Sequence, residues 1–76
     1  MADVILDARG LSCPLPVLKA RKALRELIAG ATIEVLSTDP GSVDDFPVFC
    51  RSAGHTLLDT RKEGNAFYFV IKKGGD

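Results

Sequence analysis

Leu11-Ser12-Cys13-Pro14-Leu15-Pro16 opens a helix-patterned run that extends to Ile28. Proline is most at home in the first turn of a helix, where its missing N–H is not needed and its fixed φ suits the turn. Cys13, one residue before Pro14, is therefore expected at or beside the helix N-cap. The first N–H groups of a helix have no internal acceptor, and the aligned peptide dipoles leave a partial positive charge there. A thiolate is stabilised in that position, and cysteine pKa values in comparable settings fall from ~8.5 to about 3.5–7.5. Cys13 is thus expected to be an ionised, reachable nucleophile. Pro14 and Pro16 stiffen the chain on its C-terminal side and fix where the sulfur points.

Further along the run, Val17, Ala20, Leu24, Leu27 and Ile28 share one side at helical spacing, an amphipathic helix that ends before Gly30. Lys19, Arg21, Lys22 and Arg25 occupy its remaining surface against the single acid Glu26, so the face near the cysteine reads as basic. Leu15 and Leu18 lie off the core stripe, two apolar side chains expected to be exposed beside the thiol.

Upstream, Val4-Ile5-Leu6 reads as a short strand between two aspartates, and Ala8-Arg9-Gly10 as the loop that leads to the cysteine. Downstream, Thr32 to Thr38 alternates as a strand with Ile33 and Val35 on one face. Asp39-Pro40-Gly41-Ser42 is a turn, and Ser42 with Asp45 resembles a capping pair. Val43, Phe46, Phe49, Cys50 and Ala53 then line one face of a second helix closed by Gly54. Pro47 removes a backbone hydrogen bond, so the regular helix is expected either to begin nearer Asp44 or to bend at the proline. His55 to Lys62 and Ala66 to Lys72 read as two strands around the tight turn Glu63-Gly64-Asn65, with Phe67, Phe69 and Ile71 on one face.

The order strand, helix, strand, helix, strand, strand predicts two right-handed crossovers ahead of a hairpin. The expected fold is an α/β two-layer sandwich, a four-stranded mixed sheet with both helices on one face, as a single domain over residues 1–76. The thiol-bearing helix end is expected to emerge at a sheet edge.

A chain of 76 residues buries only about 60% of the surface exposed by its unfolded form. The formal net charge is zero, which points away from direct contact with nucleic acid or a membrane surface. Two cysteines are too few for a disulfide-stapled scaffold, and with one histidine a zinc site would lack ligands, so neither a metal nor a cofactor is expected. Met1 to Asp7 shows no basic n-region and only a short apolar run, unlike a signal peptide. The apolar run Ala66 to Ile71 is far too short to span a bilayer. A reducing cytoplasm is the expected compartment.

Of the two thiols, Cys50 lies on an apolar helix stripe and reads as a small buried hydrophobe. Around Cys13, the run Cys13-Pro14-Leu15-Pro16 resembles the CPxP motif of the TusA/SirA/YedF-like sulfur carriers. The resemblance continues through Leu6-Asp7-Ala8-Arg9-Gly10, Thr38-Asp39-Pro40-Gly41-Ser42, Asp45-Phe46-Pro47-Val48-Phe49-Cys50 and Gly54-His55. It implies two helices on a four-stranded mixed sheet, in agreement with the fold argued above. It also implies that Cys13 accepts a sulfane sulfur as a persulfide, from a cysteine desulfurase or rhodanese-like donor, and relays it to an acceptor protein. Relatives of this kind serve transfer RNA thiolation, sulfur oxidation and cofactor assembly, and these residues do not choose among them. Such a protein is a sulfurtransferase of the carrier type rather than a stand-alone turnover enzyme.

On that reading Gly10, Ser12, Pro14 and Pro16 place the thiol. Leu15 and Leu18 act as apolar anchors, with Arg9, Lys19, Lys22 and Arg25 docking acidic surfaces of donor and acceptor. Thiolate attack on a persulfide needs a nucleophile, access and a good leaving thiolate, and the donor supplies the last, so no adjacent base is expected. His55, at the start of a strand, reads as structural. The carried persulfide is expected to be an anion held by the helix N–H groups and dipole. Three other readings stand beside this one. Cys13 and Cys50 could form an attacking and resolving redox pair. Gly74-Gly75 suggests a thiocarboxylate carrier, although Asp76 follows where such a carrier needs terminal glycine. The chain could also be a small regulatory adaptor whose thiol is incidental.

Overall fold

Period-two alternation and helical spacing are realised in the order β1 (Val4–Asp7), α1 (Leu15–Arg25), β2 (Thr32–Ser37), α2 (Ser42–Ala53), β3 (Thr56–Glu63) and β4 (Ala66–Lys72). The computed structural model describes residues 3–75. Met1 and Ala2, which open the N-terminal run read above, and Asp76, on which the thiocarboxylate alternative turns, lie outside the described residues.

The four strands form one mixed sheet in the order β1-β2-β4-β3. β1 pairs parallel with β2, while β4 pairs antiparallel with both β2 and β3. β4 therefore fills the space between β2 and the far edge, and α2 carries the chain across it. The register stacks apolar side chains in rows: Ile33 stands opposite Val4 and Ile71, and Val35 opposite Leu6 and Phe69. Ala20 and Leu24 of α1 and Phe46 and Cys50 of α2 close over this face in one buried cluster. Phe46 stacks on Phe69 with ring centroids 4.5 Å apart. Both helices thus cover one face, as expected. On the opposite face Arg61 reaches Glu34 at 2.9 Å and lies over the Tyr68 ring.

Several boundaries differ from the sequence reading, each for a local reason. α1 ends at Arg25, and Ile28, assigned to the core stripe, is 81% exposed. The buried line is Pro16, Ala20 and Leu24, spaced four apart, with Leu27 packed at its margin. Past Arg25 the open carbonyls are met from outside the helix, because Lys73 Nζ donates to the carbonyls of Arg25 and Leu27. In α2, Val43 and Ala53 are exposed, leaving Ser42, Phe46 and Cys50 as the buried stripe. Ser42 is no capping residue: Gly41 holds the N-cap, and the Ser42 hydroxyl shares a buried hydrogen bond of 2.6 Å with Ser37. α2 begins at Ser42, ahead of Asp44, and runs through Pro47. The carbonyl that Pro47 cannot serve belongs to Val43, a residue 47% exposed, so water can take the missing donor's place.

Candidate functional site

The approach to Cys13 is held at several points. Arg9 clamps the Asp7 carboxylate with Nε and a terminal guanidinium nitrogen, each at 2.9 Å, and its backbone N–H donates to the same group at 3.0 Å. These contacts hold the Asp7 carboxyl at about 2, well under its ordinary value. Gly10 takes a φ of +84°, a left-handed conformation that glycine adopts freely, and donates its N–H to Thr38 Oγ1 at 2.9 Å. The loop after β1 is thereby pinned to the end of β2. The Ser12 carbonyl then accepts the Leu15 N–H at 2.9 Å.

Pro14 is the N-cap of α1, Leu15 its first residue and Pro16 its second. Cys13 therefore stands one residue outside the cap, joined to Pro14 by a cis peptide bond. The sulfur is exposed, as expected. Its surroundings are not. The Cys13 N–H donates to Asp39 Oδ2 at 3.1 Å, and Sγ donates to Asp45 Oδ2 at 2.8 Å. The hydrogen bond to Asp45, desolvation, and the charges of Asp45 and Asp39 together push the Cys13 thiol above its ordinary value.

This overturns the expected low thiol pKa, and the backbone shows why. The Leu15 N–H is spent on the Ser12 carbonyl and Pro16 has none, so two of the first-turn donors are unavailable to an anion. The nearest charges are acids. A groove of about 350 Å³ beside Cys13 is lined by Pro14, Val17, Asp44, Asp45, Val48 and Phe49. The expected basic surround is displaced along α1. Lys19 Nζ turns to the Asp7 carbonyl at 3.2 Å, and Arg9 is spent on Asp7. Arg21, Lys22 and Arg25 are exposed farther on, Arg25 roughly 15 Å beyond Leu15 at ~1.5 Å per residue. Leu15 and Leu18 are half exposed near the thiol, as expected.

Cys50 is only 3% exposed, and burial pushes its thiol up to about 11. The two free thiols thus occupy opposite environments. His55 Nδ1 accepts the Gly74 N–H at 2.9 Å and its ring packs against Phe49. It joins the C-terminal segment to the end of α2 and belongs to the packing, as its position before a strand suggests.

Sequence reasoning misses Asp39 and Asp45 as neighbours of the sulfur. It pairs Asp45 with Ser42, but the Ser42 N–H that a capping carboxylate would bind donates to the Asp39 carbonyl at 3.0 Å, the hydroxyl pairs with Ser37, and the Asp45 carboxylate accepts from Cys13. One signal is readable at Gly41, where a Cβ would sit 3.1 Å from the Asp39 oxygen that binds the Cys13 N–H. Sγ of Cys13 and carboxylate oxygens of Asp39 and Asp45 all lie within 4.8 Å of one another. Both carboxylates are engaged by Cys13 itself, so the three groups form one hydrogen-bonded unit around the sulfur. Among the described residues no helix is long and apolar enough to cross a membrane.

Residues 4–73 match the family model described as Sulfurtransferase TusA. The chain is 48% identical to the sulfur carrier protein TusA of Allochromatium vinosum, over 93% of each chain. It is 43% identical to the sulfur carrier protein TusA of Pseudomonas entomophila, over 97% of this chain and 92% of the relative. Among solved structures, the SirA-like protein of Desulfitobacterium hafniense superposes with a TM-score of 0.82 at 30% identity, covering 93% of this chain and 97% of its own.

Proposed function

This chain belongs to the sulfurtransferase TusA family of sulfur carriers, and from that premise we infer that Cys13 is the atom on which the sulfur travels. The observation that carries the inference is the placement of one exposed sulfur at a loop-to-helix junction, next to a groove and two half-exposed leucines, while the second thiol is buried. A protein persulfide, supplied by a cysteine desulfurase or a rhodanese-like donor, presents its outer sulfur to Cys13. Thiol exchange moves that sulfur onto Sγ, and the loaded carrier later presents it to an acceptor thiol by the same chemistry. Gly10, Ser12, Pro14 and Pro16 set the junction, and Leu15 and Leu18 offer apolar contact area to either partner. A reducing cytoplasm suits a cargo that oxidants would destroy. Transfer RNA thiolation, sulfur oxidation and cofactor assembly all need such a relay.

Incubation with a cysteine desulfurase and cysteine, followed by intact-mass measurement, tests this. The chain should gain the mass of one sulfur atom, Cys13→Ser should gain none, and Cys50→Ser should load like the parent. Loading that survives in Cys13→Ser, or disappears in Cys50→Ser, would sink the assignment; the latter result would instead favour the two-cysteine redox reading.

A further inference from the structure

Building on the carrier reading, we propose that Asp45 is a catalytic residue of the transfer: it holds the Cys13 proton at rest, accepts it as the sulfur attacks, and delivers it to the donor thiolate that departs. The two carboxylates at the site have separate tasks. Asp39 Oδ2 receives the Cys13 backbone N–H and positions the residue, whereas Asp45 Oδ2 touches the reacting atom at 2.8 Å, within proton-transfer reach. Each is anchored from behind. The Asp39 N–H donates to Ser37 Oγ, itself paired with Ser42 in the interior, and the Asp45 N–H donates to the Gly41 carbonyl at 3.0 Å. Asp45 also sits in the first turn of α2, next to Phe46, whose full burial fixes the rotation of the helix.

The charges facing the sulfur oppose its ionisation and give a neighbouring base a task, where the sequence alone asks for none. Asp39 approaches from the turn after β2, and Asp44 and Asp45 from α2; on α1, Lys19 is turned to the Asp7 carbonyl, and in the preceding loop Arg9 is bound to the Asp7 carboxylate. With its pKa raised, the resting sulfur is a thiol at neutral pH and a poor nucleophile. Transfer begins when the S–H bond breaks and its proton passes to the Asp45 carboxylate. The freed electron pair forms a bond to the outer sulfur of the donor persulfide. The donor's S–S bond breaks, its electron pair leaves on the inner sulfur, and that sulfur takes the proton from Asp45. One S–S bond is lost and one gained, with no net oxidation.

Asp45→Asn in the full chain preserves size and an acceptor oxygen but removes the charge and the proton site. Two readouts then move in opposite directions. The pH profile of Cys13 alkylation by iodoacetamide should move to lower pH, since iodide leaves without a proton. If its midpoint falls from one pH value to the next whole value below, the thiolate fraction rises about tenfold. After the accompanying loss of nucleophilicity, the rate at neutral pH rises about threefold. Loading from glutathione persulfide, read as mass gain on the Cys13 peptide, should fall on the order of tenfold to a hundredfold, because Asp45 no longer takes the Cys13 proton and returns it to the sulfur that departs. Asp45→Glu should restore part of the loading. An unmoved alkylation profile, or undiminished loading in Asp45→Asn, overturns the proposal. Failure of the unmodified chain to load on Cys13 overturns the carrier reading instead, and the alkylation profile still reports whether Asp45 controls the sulfur.

Discussion

Cys50 shares with Phe46 the buried stripe of α2, and its thiol is pushed up to about 11 by burial alone. Cys13 has a raised thiol for a different reason, the acids that surround an otherwise exposed sulfur. Both thiols are raised, and access separates them. An alkylating reagent in mildly alkaline buffer should therefore modify Cys13 in the folded protein and reach Cys50 only through unfolding, since exchange of a buried group tracks the open population. Peptide mapping after native and urea-denatured labelling checks this. Comparable labelling of both cysteines under native conditions would contradict the burial of Cys50, and with it the view that one sulfur is functional and the other is packing.

At the scale of elements, the strands and both helices were readable because apolar residues recur at the periods that a half-buried strand and an amphipathic helix require. What was not readable was decided by contacts between elements. Ser42 next to a helix start has the chemistry of a cap, yet β2 brings Ser37 to its hydroxyl at 2.6 Å, a pairing invisible until the sheet is assembled. The Ser42 N–H is likewise taken by the Asp39 carbonyl at 3.0 Å, so neither half of a capping pair forms and the Asp45 carboxylate bonds Cys13 instead. Likewise the prolines gave away the junction at Cys13, while its electrostatics came from α2, 32 residues along the chain. The hydroxyl pair is correspondingly important for α2. Ser42→Ala removes the buried side-chain partner of the Ser37 hydroxyl and should cost about 1–3 kcal/mol, whereas adding Ser37→Ala should cost less than Ser37→Ala alone, because the hydroxyl pair is already gone and only the Asp39 N–H then loses its acceptor. Urea unfolding of the two single variants and the double variant measures the coupling; strictly additive losses would show that the two hydroxyls do not depend on each other.

For the whole molecule, a formal net charge of zero conceals a division of sign. Asp39, Asp44 and Asp45 gather around the sulfur, while Arg21, Lys22 and Arg25 lie exposed along α1, beyond the half-exposed Leu15 and Leu18. A partner that covers the leucines and reaches the thiol must therefore meet acid at one end of its footprint and base at the other. Such a pattern orients an approaching protein and raises its association rate, by about tenfold or more at low ionic strength, but offers no comparable advantage to a small persulfide. Lys22 and Arg25 are the residues to reverse, because Lys19 is engaged at the Asp7 carbonyl. The variant Lys22→Glu/Arg25→Glu should load from a cysteine desulfurase about tenfold more slowly in dilute buffer. The deficit should shrink toward about 1 M salt, where the screening length is only ~3 Å. Loading from glutathione persulfide should stay within about twofold of the parent, since a small donor gains little from long-range orientation. Equal rates with the protein donor at low salt would show that the basic flank of α1 is simply solvated surface, and a matching fall with glutathione persulfide would place the damage at Cys13 rather than at docking.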